Sequence, residues 1–278
     1  MKPAEGLRSK IIPSPASRYN EVDLLQVVSV KVLVIADIHG NAEALRSVLD
    51  KEQDADTVVF LGDSVSPGPQ ANETYKLLEG LGGTFILGNH DVEMLDPKLV
   101  AGWPVNWRAL NDWVYDNFDA AGFDFLRTLK PGGDYEAGGL QLCLQHGTVP
   151  GKLRHALPDT PEEDLTHVAQ GSDYPVVLFG HSHVQFRRVV GGQEYINPGS
   201  VGQNRCGKLL ACYGLFEDGI FRHCQVEYDP TRWLEAMDAV ATLDEFPDFR
   251  EWLKQGLLTG YGIGQNEPWT KYAEEGYF

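Results

Sequence analysis

The stretch VKVLVIADIHGNAEAL, residues 30–45, decides how the chain is read. Its first seven residues are almost continuously apolar and largely β-branched, the pattern of a buried strand. The run breaks into Asp37-Ile38-His39-Gly40. Asn41 then offers a cap for a helix that carries Ala42, Leu45, Val48 and Leu49 on one face. Strand, polar turn, amphipathic helix is the opening half of a βαβ unit.

Working outward, the pattern recurs. TVVFLG (57–62) predicts a second strand, Glu73 to Leu81 a second helix and TFIL (84–87) a third strand, an order that implies a parallel sheet with right-handed crossovers. Residues 97–130 read as helical, with Trp103, Trp107, Leu110 and Trp113 among the apolar positions; they form either a cap over a site or a core-packed layer. LQLCLQ (140–145), VVLF (176–179), FRRVV (186–190), KLLACYGLF (208–216) and IFRHCQVEY (220–228) predict further strands. The later ones are joined by Gly-containing turns such as Gly191-Gly192 and Asp218-Gly219, so the second half is more antiparallel. Residues 231–258 predict two amphipathic helices, followed by a Gly-rich, polar and aromatic tail. The expected organisation is a poorly tethered extension (1–29), a core domain (30–228) and a C-terminal helical segment (229–278) packed on that core.

Composition bounds the function. Twenty-three basic against 40 acidic residues leave a net charge of −17 over 278 residues, a surface that repels long DNA or RNA. A small phosphorylated ligand remains compatible, because bound cations invert local charge. The four cysteines (Cys143, Cys206, Cys212, Cys224) lack CxxC spacing and read as core thiols of a reducing compartment. No apolar run reaches the roughly 18 residues of a membrane span, and the first residues lack a signal-peptide pattern. A cytoplasmic protein without a membrane partner is expected.

Five apolar runs end in polar clusters: Asp37-Ile38-His39-Gly40, Gly62-Asp63, Gly88-Asn89-His90-Asp91, His146-Gly147 and Gly180-His181-Ser182-His183. In an open α/β sheet the carboxyl ends of the strands line the ligand crevice, so five such ends bring carboxylates, imidazoles and an amide to one rim. The two-residue spacing of Asp37 and His39, repeated in His181 and His183, points both side chains the same way in extended backbone. One such cluster is weak, since an Asp-x-His at a strand end is commonly structural and Gly-Asn-His-Asp fits an Asx turn. Five in order are not weak.

These motifs, in this order, resemble the calcineurin-like metallophosphoesterase superfamily. DIHGNAEAL (37–45), GDSVSPGPQANE (62–73) and INPGSVGQNR (196–205) resemble its small bacterial and archaeal phosphodiesterase branch. The resemblance covers about residues 30–216. It implies an α/β fold of two sheets forming a β-sandwich flanked by helices, a four-layer αββα arrangement. It further implies that Asp37, His39, Asp63 and His183 hold one divalent metal ion, and that Asp63, Asn89, His146 and His181 hold a second, with Asp63 bridging. His90 would then act as general acid or phosphate contact, with Asp91 orienting it. A hydroxide between the ions would attack phosphorus in line with the leaving oxygen. Imidazole, carboxylate and amide ligands without a thiolate suit Mn, Fe, Zn, Ni or Co, and the resemblance favours Mn or Fe. Backbone carbonyls in these loops are candidate acceptors for the second nitrogen of each ligating ring.

The sequence departs from the phosphoprotein phosphatases of the superfamily. Ser64-Val65-Ser66-Pro67-Gly68 follows Asp63 where those enzymes carry an Asp-Arg pair, which argues against a phosphoprotein substrate and, less strongly, against symmetrical dinucleoside tetraphosphates. Arg205 is a candidate substrate contact or a surface arginine after a turn; Arg154 and His155 either face the pocket or are structural. The expected activity is hydrolysis of a small phosphodiester, with a cyclic nucleotide among the candidates, or of a phosphomonoester. The alternative is a non-catalytic protein-binding scaffold built on the same fold. A scaffold is free to lose ligands, and this chain keeps every expected ligand type.

Overall fold

Along β1 (Lys31–Ile35) Val32 and Val34 face one way, Leu33 and Ile35 the other, and all four are buried. A strand buried on both faces needs a layer on each side, and the chain supplies them. The computed structural model describes residues 30–149, 151–261 and 269–277. The expected extension over 1–29 therefore lies outside the described residues.

From β1 the chain passes through α1 (Ala42–Lys51), β2 (Thr57–Phe60), α2 (Ala71–Glu79) and β3 (Gly83–Phe85). The three strands pair in parallel, with Val32 opposite Thr57 and Val58 opposite Gly83. Asn41 caps α1 by accepting from the Ala44 N–H, and its amide donates to Gly202 O and the Tyr228 hydroxyl. The cap thus ties the turn after β1 to two distant loops.

Helix α3 (Asn89–Leu95) starts within the polar cluster after β3 and was not expected, and the predicted helical stretch resolves into a 3-10 turn (Pro97–Val100), α4 (Val105–Asn117) and α5 (Ala120–Thr128). The second half contains β4 (Gly133–Ala137), β5 (Leu140–Gln145), α6 (Glu162–Leu165), a 3-10 turn (Thr166–Ala169), β6 (Val176–Phe179), β7 (Phe186–Val190), β8 (Gln193–Asn197), β9 (Ala211–Glu217) and β10 (Ile220–Val226). Two mixed five-stranded sheets result, ordered β10-β9-β1-β2-β3 and β4-β5-β6-β8-β7. Strands β4 and β8 were not expected from the sequence. Strand β4 (GDYEA) is polar and partly exposed, and β8 (QEYIN) begins with two polar residues.

The sheets pack face to face. Val32, Val34, Val59 and Leu61 of the first meet Leu142, Leu144, Leu178 and Ile196 of the second. The outer face of the first sheet, including Leu33, Ile35 and Phe60, is covered by α1, α2, α4 and α5. The outer face of the second carries Val177, Phe179 and Tyr195 under α6 and the adjoining 3-10 turn. The fourth layer is thus two short helical segments rather than a row of long helices. Each fully buried Leu, Ile or Phe in these interfaces contributes about 1.5–3 kcal/mol.

The C-terminal helices α7 (Thr231–Asp238) and α8 (Pro247–Thr259) put Trp233, Met237, Leu253 and Leu257 into the same core as Leu33 and Ile35. The short helix α9 (Trp269–Glu274) follows, where the sequence predicted only an irregular tail. It is anchored by Lys271, whose Nζ lies 2.7 Å from Asp159, and by the Tyr272 hydroxyl, which donates to the same carboxylate.

Candidate metal centre

The residues after β1, β2, β5 and β6, together with the first turn of α3, converge at one edge of the sandwich. Asp37, His39 and His183 form one compact group of potential ligand atoms. Asp63, His146 and His181 form a second, and His39, Asp63 and His90 a third. Asp63 therefore sits between the two halves. Asn89 completes the cluster: its Oδ1 lies 3.0 Å from His146 Nε2.

The local backbone differs from the extended geometry expected for Asp-x-His and His-x-His. Asp37 (φ 53°), His39 (48°), Asp63 (60°), His181 (68°) and His183 (61°) are all left-handed. They are five of the seven non-glycine residues with positive φ among the described residues. Such conformations cost about 1–3 kcal/mol apiece and persist only where surrounding contacts enforce them. Two glycines make the crowding possible: a Cβ on Gly88 would lie 2.1 Å from Asp63 Oδ1, and one on Gly180 would lie 2.7 Å from Asp37 Oδ2.

Three rings are held in one orientation by backbone carbonyls. The Nδ1–H of His39 donates to Ser66 O at 2.7 Å, that of His146 to Leu61 O at 2.8 Å, and that of His183 to Gln203 O at 2.7 Å. A carbonyl only accepts, so each Nδ1 carries the proton and each Nε2 is aimed at the centre. His39 Nε2 and His183 Nε2 are 3.1 Å apart. Burial pushes His39 down to about 3 and His183 well below the usual range, so both rings are neutral. Two lone pairs then face each other beside Asp37 Oδ1, which lies 4.0 Å from His39 Nε2 and 3.5 Å from His183 Nε2. Neither nitrogen has a proton to offer, and a cation satisfies both. The donor set fits a metal ion.

The second half is balanced differently. Burial disfavours charge on His146, yet the Asp63 carboxylate 3.1 Å away outweighs it and the ring is pushed up to about 10. Burial pushes Asp37 up to about 6, with the neighbouring Asp63 adding to it. For Asp63 burial acts upward as well, but His146, His90 and His39 hold it well below the usual carboxylate range. Burial and His146 keep His181 well below its ordinary value.

Asp91 does not orient His90, contrary to expectation. Its carboxylate is buried and accepts the N–H groups of Asp63 (2.8 Å), Ser64 (2.9 Å) and Gly88 (2.8 Å) and the Ser64 hydroxyl. It ties the Asp63 turn to the start of α3. The residue beside the His90 ring is Glu93, whose Oε2 lies 2.7 Å from His90 Nδ1. Burial acts to lower His90, but Asp63 and Glu93 together raise it. Glu93 was missed in the sequence, where its only signal is the i,i+3 spacing from His90 on one helix face.

A cavity of about 460 Å³ opens over the cluster. Arg205 lines it; its Nη1 donates to Ser182 O at 3.1 Å, and burial lowers its pKa to about 10. Arg154 and His155 also line it rather than serving the core, and the His155 ring stacks on His181 with centroids 4.7 Å apart. Trp103, Pro104 and Trp107 form another part of the wall, so the helical stretch both caps the site and packs on the core.

Comparison with known proteins agrees with this architecture. Residues 30–217 match the model of the calcineurin-like phosphoesterase superfamily domain. An uncharacterised protein of Methanocaldococcus jannaschii is 28% identical over 255 residues, covering 84% of this chain and all of that one. A probable metallophosphoesterase of Mycoplasma pneumoniae is 24% identical over 190 residues, covering 66% of this chain and 86% of that one. The crystal structure of a metallophosphoesterase from Sphaerobacter thermophilus superposes with a TM-score of 0.62 at 24% identity, covering 77% of this chain and 94% of the other. Among the described residues no helix is long and apolar enough to cross a membrane.

Proposed function

The chain belongs to the calcineurin-like phosphoesterase superfamily, a family of metal-dependent hydrolases, and from that premise we propose that it hydrolyses a small phosphodiester or phosphomonoester at a pair of divalent metal ions. The observation that carries the reading is the facing pair of Nε2 lone pairs on His39 and His183. A non-catalytic scaffold places no demand on the orientations of three histidine rings.

Asp37, His39, Asp63 and His183 would hold one ion and Asp63, Asn89, His146 and His181 the other; the donor set suits Mn, Fe, Zn, Ni or Co, and the family resemblance favours Mn or Fe. When bound, such a pair acidifies water and polarises the phosphoryl group. The chain's residues do the rest. Ser66, Leu61 and Gln203 carbonyls fix the ring orientations. Arg205, at the cavity wall, would face the phosphoryl oxygens with its guanidinium. His90, whose pKa Asp63 and Glu93 raise against the effect of burial, would donate a proton to the departing oxygen as the P–O bond breaks. A diester with one negative charge needs less cationic clamping than a monoester dianion, and a diester is the preferred reading. The partner is a small phosphoester rather than long nucleic acid. Four free, buried thiols suit a reducing cytoplasm.

The test is turnover by Mn²⁺- and Fe²⁺-reconstituted protein of bis(4-nitrophenyl) phosphate, 4-nitrophenyl phosphate, cyclic nucleotides and nucleotide monophosphates. Metal-dependent hydrolysis of any of them supports the reading, and inactivity on all despite two bound ions refutes it. A monoester turned over at least tenfold more efficiently than the diester overturns the diester preference alone.

A further inference from the structure

The cavity has two unlike walls. Beside His181 and His183 stand Arg154, His155 and Arg205, the polar side expected over a phosphoryl group. Beside His90 stand Trp103, Pro104 and Trp107, groups with no part in holding a metal ion or moving a proton. The indoles are held in place. The Trp107 ring meets Phe249 at 5.0 Å and Trp252 at 6.0 Å, both from α8. The Trp103 ring meets the His90 ring at 5.6 Å, nearly perpendicular. Fixed aromatic surface that lines an open cavity is preorganised to receive a flat apolar group, because little side-chain freedom is lost on binding.

We infer that Trp103 and Trp107 form a specificity wall for a planar ring on the leaving-group side of the phosphoester. The inference rests on the phosphoesterase reading above and assigns its substrate class: an ester whose departing alcohol carries a heteroaromatic or aryl ring. Placement supplies the side. His90 is the group assigned to protonate the leaving oxygen, and Trp103 is its ring neighbour. The alcohol that takes the proton departs along the indole wall, while the phosphoryl group stays against the arginine wall. The sequence supports the division, since both tryptophans come from the stretch between β3 and β4 and the brace of Trp107 from α8.

The test compares two probes with the same phosphorylated 5-hydroxymethyl group, one with a base and one without: AMP and ribose 5-phosphate. Both are measured on the Mn²⁺-loaded full chain as competitors of methyl 4-nitrophenyl phosphate hydrolysis, and independently by titration calorimetry. Base–aromatic stacking strengthens binding about five- to a hundredfold. AMP is expected to bind at least fivefold more tightly than ribose 5-phosphate. Trp103→Ala is expected to bring that ratio below fivefold, and Trp103→Phe to keep it above. If Trp103→Ala does not fold, Trp103→Leu keeps an apolar side chain of intermediate size, removes the ring and should collapse the ratio equally. A wild-type ratio below fivefold, or a ratio that survives the loss of the indole, overturns the inference. Absence of any hydrolysis overturns the phosphoesterase reading instead, and calorimetry still reports the ring preference separately.

Discussion

His39 and His183, 144 residues apart in the chain, present their Nε2 atoms to each other at 3.1 Å while each Nδ1 is spent on a backbone carbonyl. Neither ring can turn over without stranding a buried donor, which costs about 1–3 kcal/mol. The contact is thus a fixed acceptor pair, and it sets the expectations that follow.

Metal loading should release a proton from His146. In the metal-free protein that ring is raised from its ordinary 6.5 to about 10, so it is charged at pH 7.5. A raised pKa gives the metal-free fold a stabilising contribution that is complete below pH 6.5 and is lost as pH rises through about 10. A metal ion competes with that same proton, so affinity should weaken as pH falls below 10. Calorimetry at pH 7.5 in two buffers of different ionisation enthalpy should find about one proton released per loaded chain from this ring. Zero net release would contradict the assignment.

Asp63 belongs to two of the groups of potential ligand atoms, so on the two-metal reading Asp63→Asn should lose metal from both. Elemental analysis is expected to find fewer than two ions per chain, with activity down by more than the ~10–100-fold typical of an outer-shell loss. Two retained ions with full activity would exclude the bridging role.

His90→Ala should keep the metal ions and lower turnover by about 10²–10⁴-fold for an alkyl leaving group. The loss should shrink for 4-nitrophenolate, which departs without a proton. Glu93→Gln should show the same leaving-group dependence with a smaller loss, because it weakens the charge on His90 without removing the ring. An equal loss for good and poor leaving groups would mean that His90 only positions the phosphoryl group.

Asp91→Ala should behave as a folding variant. It leaves the N–H groups of Asp63, Ser64 and Gly88 without their acceptor. At about 1–3 kcal/mol for each stranded group, a destabilisation of several kcal/mol is expected in denaturant unfolding. Wild-type stability with slowed turnover would restore a catalytic role to Asp91.

The predicted strands were legible where burial is two-sided. β1, β2, β5 and β6 are runs of apolar residues because both faces are covered. β4 was hidden because its residues alternate between partial burial and exposure without large aliphatics, and β8 because only its last three residues are buried. The polar strand ends marked the site, since carboxylate, imidazole and glycine recur there in order. Their left-handed backbone was not legible, because residue type alone does not distinguish an extended Asp-x-His from a curled one. Nor was Glu93, whose role depends on where α3 is set down by tertiary packing, while Trp103 and Trp107 were legible only as part of either a cap or a core layer.

The left-handed turns have a consequence for how such a chain changes over generations. Five residues at about 1–3 kcal/mol each approach the whole net stability of an ordinary domain, about 5–15 kcal/mol. Those conformations sit among the residues assigned to the metal ions. Without metal, Asp37→Asn tolerates the same φ and removes a buried carboxyl already pushed up to about 6, so the substituted apoprotein should be the more stable one. At Asp37, selection for catalysis therefore opposes selection for stability, whereas Asp63 is held in place by its pairing with His146. A duplicated copy released from catalysis has a downhill route through Asp37. Loss of that one carboxylate, with the core and Asp63 intact, is the expected early trace of lost function.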